Sequence, residues 1–158
     1  MGVRYVVFAV LILMSFCLGL AFGQHEPSLL LPHSDTSIEQ KSPSDWIAQE
    51  NIHILENNVV IDITDPQWAV FTDTNSMDPV LDQGAHGIQV VPGSPDDLEI
   101  GDIISFTSTQ GIIIHRIIDI GHDDQGWYAI TKGDNNAVAD PGKLRFSQVH
   151  RVLVGILY

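Results

Sequence analysis

Basic residues are scarce in this chain: seven Lys and Arg stand against 20 Asp and Glu in 158 residues, a formal net charge of −13. All of the acids but only six of the bases lie beyond residue 24, so that part carries −14. A surface of that sign repels phosphate backbones, whose binding depends on Lys and Arg displacing counterions, and nucleic acid is excluded as a partner. Cysteine is almost missing. Cys17 is alone inside an apolar run, which rules out a disulfide framework and a thiolate metal cluster. No long stretch carries a strong 3.6-residue apolar period, and no internal repeat is visible. The length admits one ordinary domain and not two. What the chain does have, aliphatic residues and 13 glycines, suits a turn-rich globule rather than a disordered acidic tail.

Residues 5–22 form a run of low polarity broken only by Ser15, Cys17 and Gly19. As a helix it would be about 27 Å long, just enough for a hydrocarbon core of about 30 Å. Arg4 precedes it, and the positive-inside tendency places everything after residue 24 outside the cytoplasm. Residues 1–23 are therefore expected to be a membrane anchor in contact with lipid. The competing reading is a cleaved signal peptide, since Ala21-Phe22-Gly23 is a small-x-small site. Residues 24–43 hold Pro27, Pro32 and Pro43 among polar residues and read as a tether. The working domain is expected over 44–158.

That domain alternates short β-rich runs with turn signals. Residues 52–55 and 59–63, separated by Glu56-Asn57-Asn58, predict a hairpin. Further strands are predicted over 68–72, 87–91, 103–107, 112–120, 127–131 and 149–158, with one short helical turn within 44–51. The expected fold class is mainly β, a complex antiparallel arrangement.

Three segments carry side chains suited to chemistry. Ser76 lies where a strand runs into a turn before Pro79, the stiffly held position a nucleophilic hydroxyl needs. An ordinary turn serine is the alternative. His115 sits in an isoleucine-rich strand, and a period of two places Ile113, His115, Ile117 and Asp119 on one face and Arg116 on the other. The imidazole is a general-base candidate or a satisfied core histidine. Arg116 is expected to pair with an acid or cover an edge. Asp134 and Asp140 bracket a loop rich in Asn and Gly, where a carboxylate could orient an imidazole or simply serve turn chemistry. Asp134, Asn136 and Asp140 also offer oxygen ligands for calcium, but Val138 breaks the usual spacing and no glutamate closes the loop. No metal or organic cofactor is expected. His122-Asp123-Asp124 reads as a solvated turn, and buried packing is expected for Trp46, Trp68 and Trp127.

Taken together, Ser76-Met77-Asp78-Pro79, Gly101-Asp102-Ile103-Ile104, His115-Arg116-Ile117 and Lys132-Gly133-Asp134-Asn135-Asn136 with Asp140 resemble type I signal peptidases, more narrowly their archaeal and endoplasmic-reticulum subtype. The resemblance covers roughly residues 71–158, and Asn75 stands where that subtype usually has Gly. It implies a membrane-anchored serine endopeptidase of the signal-peptidase and self-cleaving-repressor fold, acting outside the cytoplasm on signal peptides of exported precursors. Ser76 matches the nucleophile and His115 the general base. Asp140 matches the acid of the Ser-His-Asp set, and Asp134 a second acidic position with a structural role. Substrate is expected to add as an extended strand. A Ser76–Lys132 dyad is the alternative to this set, because related enzymes use a lysine base. The other class of function is a non-catalytic, membrane-tethered peptide-binding module of the same fold.

Overall fold

The computed structural model of the chain describes residues 40–158. The expected anchor over 1–23 and most of the expected tether lie outside the described residues, among which no helix is long and apolar enough to cross a membrane. The end of the expected tether lies against the domain: the Lys41 carbonyl accepts a bond from Arg116 Nη1 at 3.3 Å, and Ser44, the first residue of the expected domain, donates twice to Asp102 Oδ1.

Among the described residues, runs of β-branched residues punctuated by Gly, Asp and Asn give eight strands, all paired antiparallel. They are β1 (Ile52–Ile54), β2 (Val59–Ile61), β3 (Gln67–Val70), β4 (His86–Val90), β5 (Ile103–Ser108), β6 (Gly111–Asp123), β7 (Gly126–Lys132) and β8 (Val149–Leu157). β1 and β2 form the expected hairpin. The others make one sheet in the order β3-β4-β8-β5-β6-β7, with the last strand inserted between β4 and β5. The helical signal before β1 is a single 3-10 turn at Gln49–Asn51. The fold is mainly β, as the composition of the runs requires.

Alternation along the central strands feeds two apolar clusters, one on each face. Ile104 and Phe106 of β5, Ile117 of β6, Ala129 of β7 and Val152 of β8 join one. Ile103 and Leu153 join the other, with Met77 and Leu81 from the segment after β3. His115 shares the first face, where Phe106 meets its ring edge-on with centroids 6.4 Å apart. Arg116 shares the second.

The period of two fails beyond Ile117. Ile117 pairs with Thr131 and Asp119 with Ile130, so Ile118 is an extra residue, a β-bulge. The bulge reverses the parity of the rest of the strand: Ile120 packs on the first cluster, and Asp119 is exposed instead of sharing the His115 face. Trp68 departs from expectation as well. Trp127 is buried and Trp46 packs on the core, but Trp68 is 57% exposed and stacks beside the His86 ring.

Candidate active site

His115 and Arg116 are consecutive on β6 and face opposite ways, and each meets its own aspartate from the loop after β7. His115 Nδ1 lies 2.7 Å from Asp140 Oδ2, with side chains only 9% and 19% exposed. A carboxylate oxygen only accepts, so Nδ1 carries the hydrogen and Nε2 keeps its lone pair. Thr131 Oγ1 donates to the same Asp140 oxygen at 2.7 Å, and the Asp140 backbone N–H donates to the Thr131 carbonyl at 2.8 Å. The carboxylate is thereby anchored on β7.

On the other face, Arg116 grips Asp134 with two parallel bonds of 2.8 and 2.7 Å. This ion pair is buried, with side chains 8% and 4% exposed. The free Nη1 donates to the Gly101 carbonyl at 2.8 Å. Such a bidentate, almost fully satisfied pair ties three segments together and has no free edge for a reacting group. The sequence leaves the choice of acid open; in the structure Asp140, not Asp134, touches the imidazole.

Ser76 comes into this neighbourhood through the same loop. Its carbonyl accepts from the Asn135 N–H at 3.0 Å, and the Asn75 carbonyl accepts from Asn135 Nδ2 at 2.9 Å. Gly133 lies so close that a Cβ there would sit 2.5 Å from the Ser76 carbonyl oxygen. Asn75 has φ +56°, a left-handed conformation that Gly adopts freely and Asn tolerates best among side-chain-bearing residues. Asn75, which stands where the resembled subtype usually has Gly, thus adopts a conformation that Gly also reaches freely.

Ser76 is half-buried as a residue, and its hydroxyl lies 3.2 Å from Thr74 Oγ1. No hydrogen bond joins it to the His115 ring. Both residues, with Asp140, line one open groove of about 1050 Å³. The backbone N–H groups of Ser76 and Met77 donate to no group among the described residues. Lys132, the alternative base, points Nζ at the Asn136 carbonyl at 2.7 Å and is not bonded to Ser76.

The calcium alternative finds its oxygens dispersed: Asp134 is taken by Arg116, and Asp140 by His115 and Thr131. Among the described residues, no group of three or more His, Cys, Asp or Glu is placed to hold a metal ion. Asp123, expected in a solvated turn, accepts from both Arg145 and Lys143. The Arg145 guanidinium first, then the Lys143 ammonium and the Gln125 N–H, hold its carboxyl far below the usual carboxylate range.

Two participants have no role in the sequence reading. Thr131 has a signal in hindsight, being opposite Ile117 and hence on the His115 face. Thr74 has none, since an exposed threonine before a turn is commonplace. Comparison of the chain with protein-family models, curated proteins and solved structures found no match in any of the three.

Proposed function

We propose that the chain is a membrane-anchored serine endopeptidase of the signal-peptidase type, with the corresponding β fold, that cleaves exported precursors outside the cytoplasm. The observation that carries this reading is the buried 2.7 Å contact of His115 Nδ1 with Asp140, in a groove shared with the Ser76 hydroxyl. In this mechanism His115 Nε2 takes the Ser76 proton as Oγ attacks the scissile carbonyl. Asp140 holds the ring and compensates the imidazolium that forms. The free N–H groups of Ser76 and Met77 are suited to steady the tetrahedral oxyanion. The imidazolium then protonates the leaving amine, and water, deprotonated by the same nitrogen, hydrolyses the acyl-enzyme. In an unliganded site the nucleophile–base bond is commonly open and closes when substrate fills the groove.

The Thr74–Ser76 hydroxyl contact favours a second reading, a non-catalytic module that holds extended peptides. One assay separates the two. Full-length protein in detergent is incubated with an exported precursor, and the products are read by mass spectrometry. A shortened product that vanishes in both Ser76→Ala and His115→Ala supports the peptidase. Near-native turnover in His115→Ala removes the assigned base, and loss in Lys132→Arg alone would transfer that role to lysine. Precursor binding without cleavage by the wild type establishes the module.

A further inference from the structure

The groove is lined by more than the Ser-His-Asp set, and its floor is not uniform. Beside Ser76 the floor is apolar, made by Met77, Leu81, Phe71 and Ile114. Another part of it is polar. Gln89 of β4, Arg151 of β8 and Ser105 of β5 all line it. The registers place these three on one sheet face: Ser105 is opposite both Arg151 and Ile114, and Gln89 is opposite Leu153, two residues along β8 from Arg151. Gln89 and Arg151 are thus diagonal neighbours, within reach of each other's long side chains.

These residues are under-used. Gln89 is 6% exposed as a residue, and its amide, unbonded among the described residues, remains open to the groove. Arg151 is half-buried and has no carboxylate partner among them, whereas Arg116, Lys143 and Arg145 each have one. The charge around them is also unusual. Although the chain beyond residue 24 carries −14, Asp140 is the only carboxylate among the described residues that lines the groove, and it is already engaged by His115 and Thr131. An unpaired guanidinium beside a solvent-accessible amide, on a floor where the described residues place no free carboxylate, suits a planar oxyanion.

We propose that Arg151, with Gln89 and Ser105, forms a subsite for an acidic side chain of the bound peptide. It lies upstream of the scissile bond, on the side of the strand facing the sheet. The position assigned within the substrate rests on the endopeptidase reading. Side chains facing the floor recur every second residue, about 6.6 Å apart. With the residue at the scissile bond over the apolar floor, the third or fifth residue upstream meets Arg151. The recognised class is therefore a peptide with a small residue at the cut and Glu or Asp farther upstream.

The test uses full-length protein in detergent and peptides with a small residue at the cut. They carry Ala, Gln, Glu or Lys at the third or fifth position upstream. Affinity is measured on Ser76→Ala by fluorescence anisotropy, and kcat/KM on the wild-type active site. At one of the two positions Glu is expected to be favoured about tenfold over Ala and Lys disfavoured, the gap narrowing in high salt. Arg151→Gln should bring the Glu-to-Ala ratio close to one, and Arg151→Glu should turn the preference toward Lys. Equal affinities for the whole series on an intact Arg151, or a Glu preference that survives both variants, overturns the subsite. A Glu preference in binding with no cleavage of any peptide keeps the subsite and refutes the peptidase.

Discussion

Asp134 and Asp140 leave one loop six residues apart and bind consecutive residues of β6 from opposite sides of the sheet. The strand's two-residue alternation makes this possible, because it separates His115 from Arg116 although they are neighbours in the chain. Two similar carboxylates thereby acquire different tasks, one holding an imidazole in a groove and the other neutralising a buried guanidinium.

Their replacements should fail in different ways. Asp140→Asn removes the negative charge that fixes and compensates the imidazole, so precursor cleavage should fall by about 10⁴-fold while the fold persists. Asp134→Asn leaves Arg116 buried without a counter-charge and should cost about 3–5 kcal/mol of stability. Urea unfolding of both variants, alongside kcat, checks the division. A severe loss of stability in Asp140→Asn with unchanged turnover would reverse the assignment.

Thr131 should act through Asp140. Thr131→Val keeps the shape of the side chain and removes the 2.7 Å donor to the carboxylate. A hydrogen bond to a charged group contributes about 1.5–3 kcal/mol, so turnover should drop roughly tenfold or more with KM little changed. Thr131→Ser, which restores the hydroxyl, should recover most of it.

The backbone around Ser76 makes its own demands. Asn75→Gly should be tolerated, since φ +56° suits glycine, whereas Asn75→Val should cost about 1–2 kcal/mol. Gly133→Ala should be worse for activity than for stability, because the added methyl collides with the Ser76 carbonyl and displaces the segment carrying the hydroxyl. Thermal unfolding and precursor turnover measured together distinguish the two effects.

Acid stability should report on Asp123. Its folded-state pKa lies below the ordinary value because Arg145, Lys143 and the Gln125 N–H favour the ionised form, and Arg145 is shifted upward in return. The unfolded chain therefore binds the proton first as pH falls. The stabilisation is complete above the ordinary aspartate pKa of about 3.9 and is lost as pH drops below it. The urea midpoint of the wild type should fall more between pH 6 and pH 3 than that of Asp123→Asn, and less so in high salt.

Much of the site is legible along the chain. The period of two in Ile113-Ile114-His115-Arg116-Ile117 correctly separates His115 from Arg116, and local chemistry alone picks out Ser76, His115 and the loop holding Asp134 and Asp140. The pattern fails at Asp119, because a bulge is a pairing event between strands and leaves no mark on one strand's alternation. It also fails at Trp68: an indole's burial depends on what lies over a strand, and here the face beside His86 is open. The choice between Asp134 and Asp140 is not readable, since both are aspartates in one loop.

The strand runs, the acidic composition, and the residue types able to act as nucleophile, base and acid can be read along the chain, because alternation and turn chemistry are local properties. Folding is what brings one aspartate and not the other to the imidazole, sets Thr131 against that aspartate, and gathers Gln89, Ser105 and Arg151 on one groove floor. Those relations depend on registers among β4, β8, β5, β6 and β7, and placing β8 between β4 and β5 unites residues more than 40 positions apart.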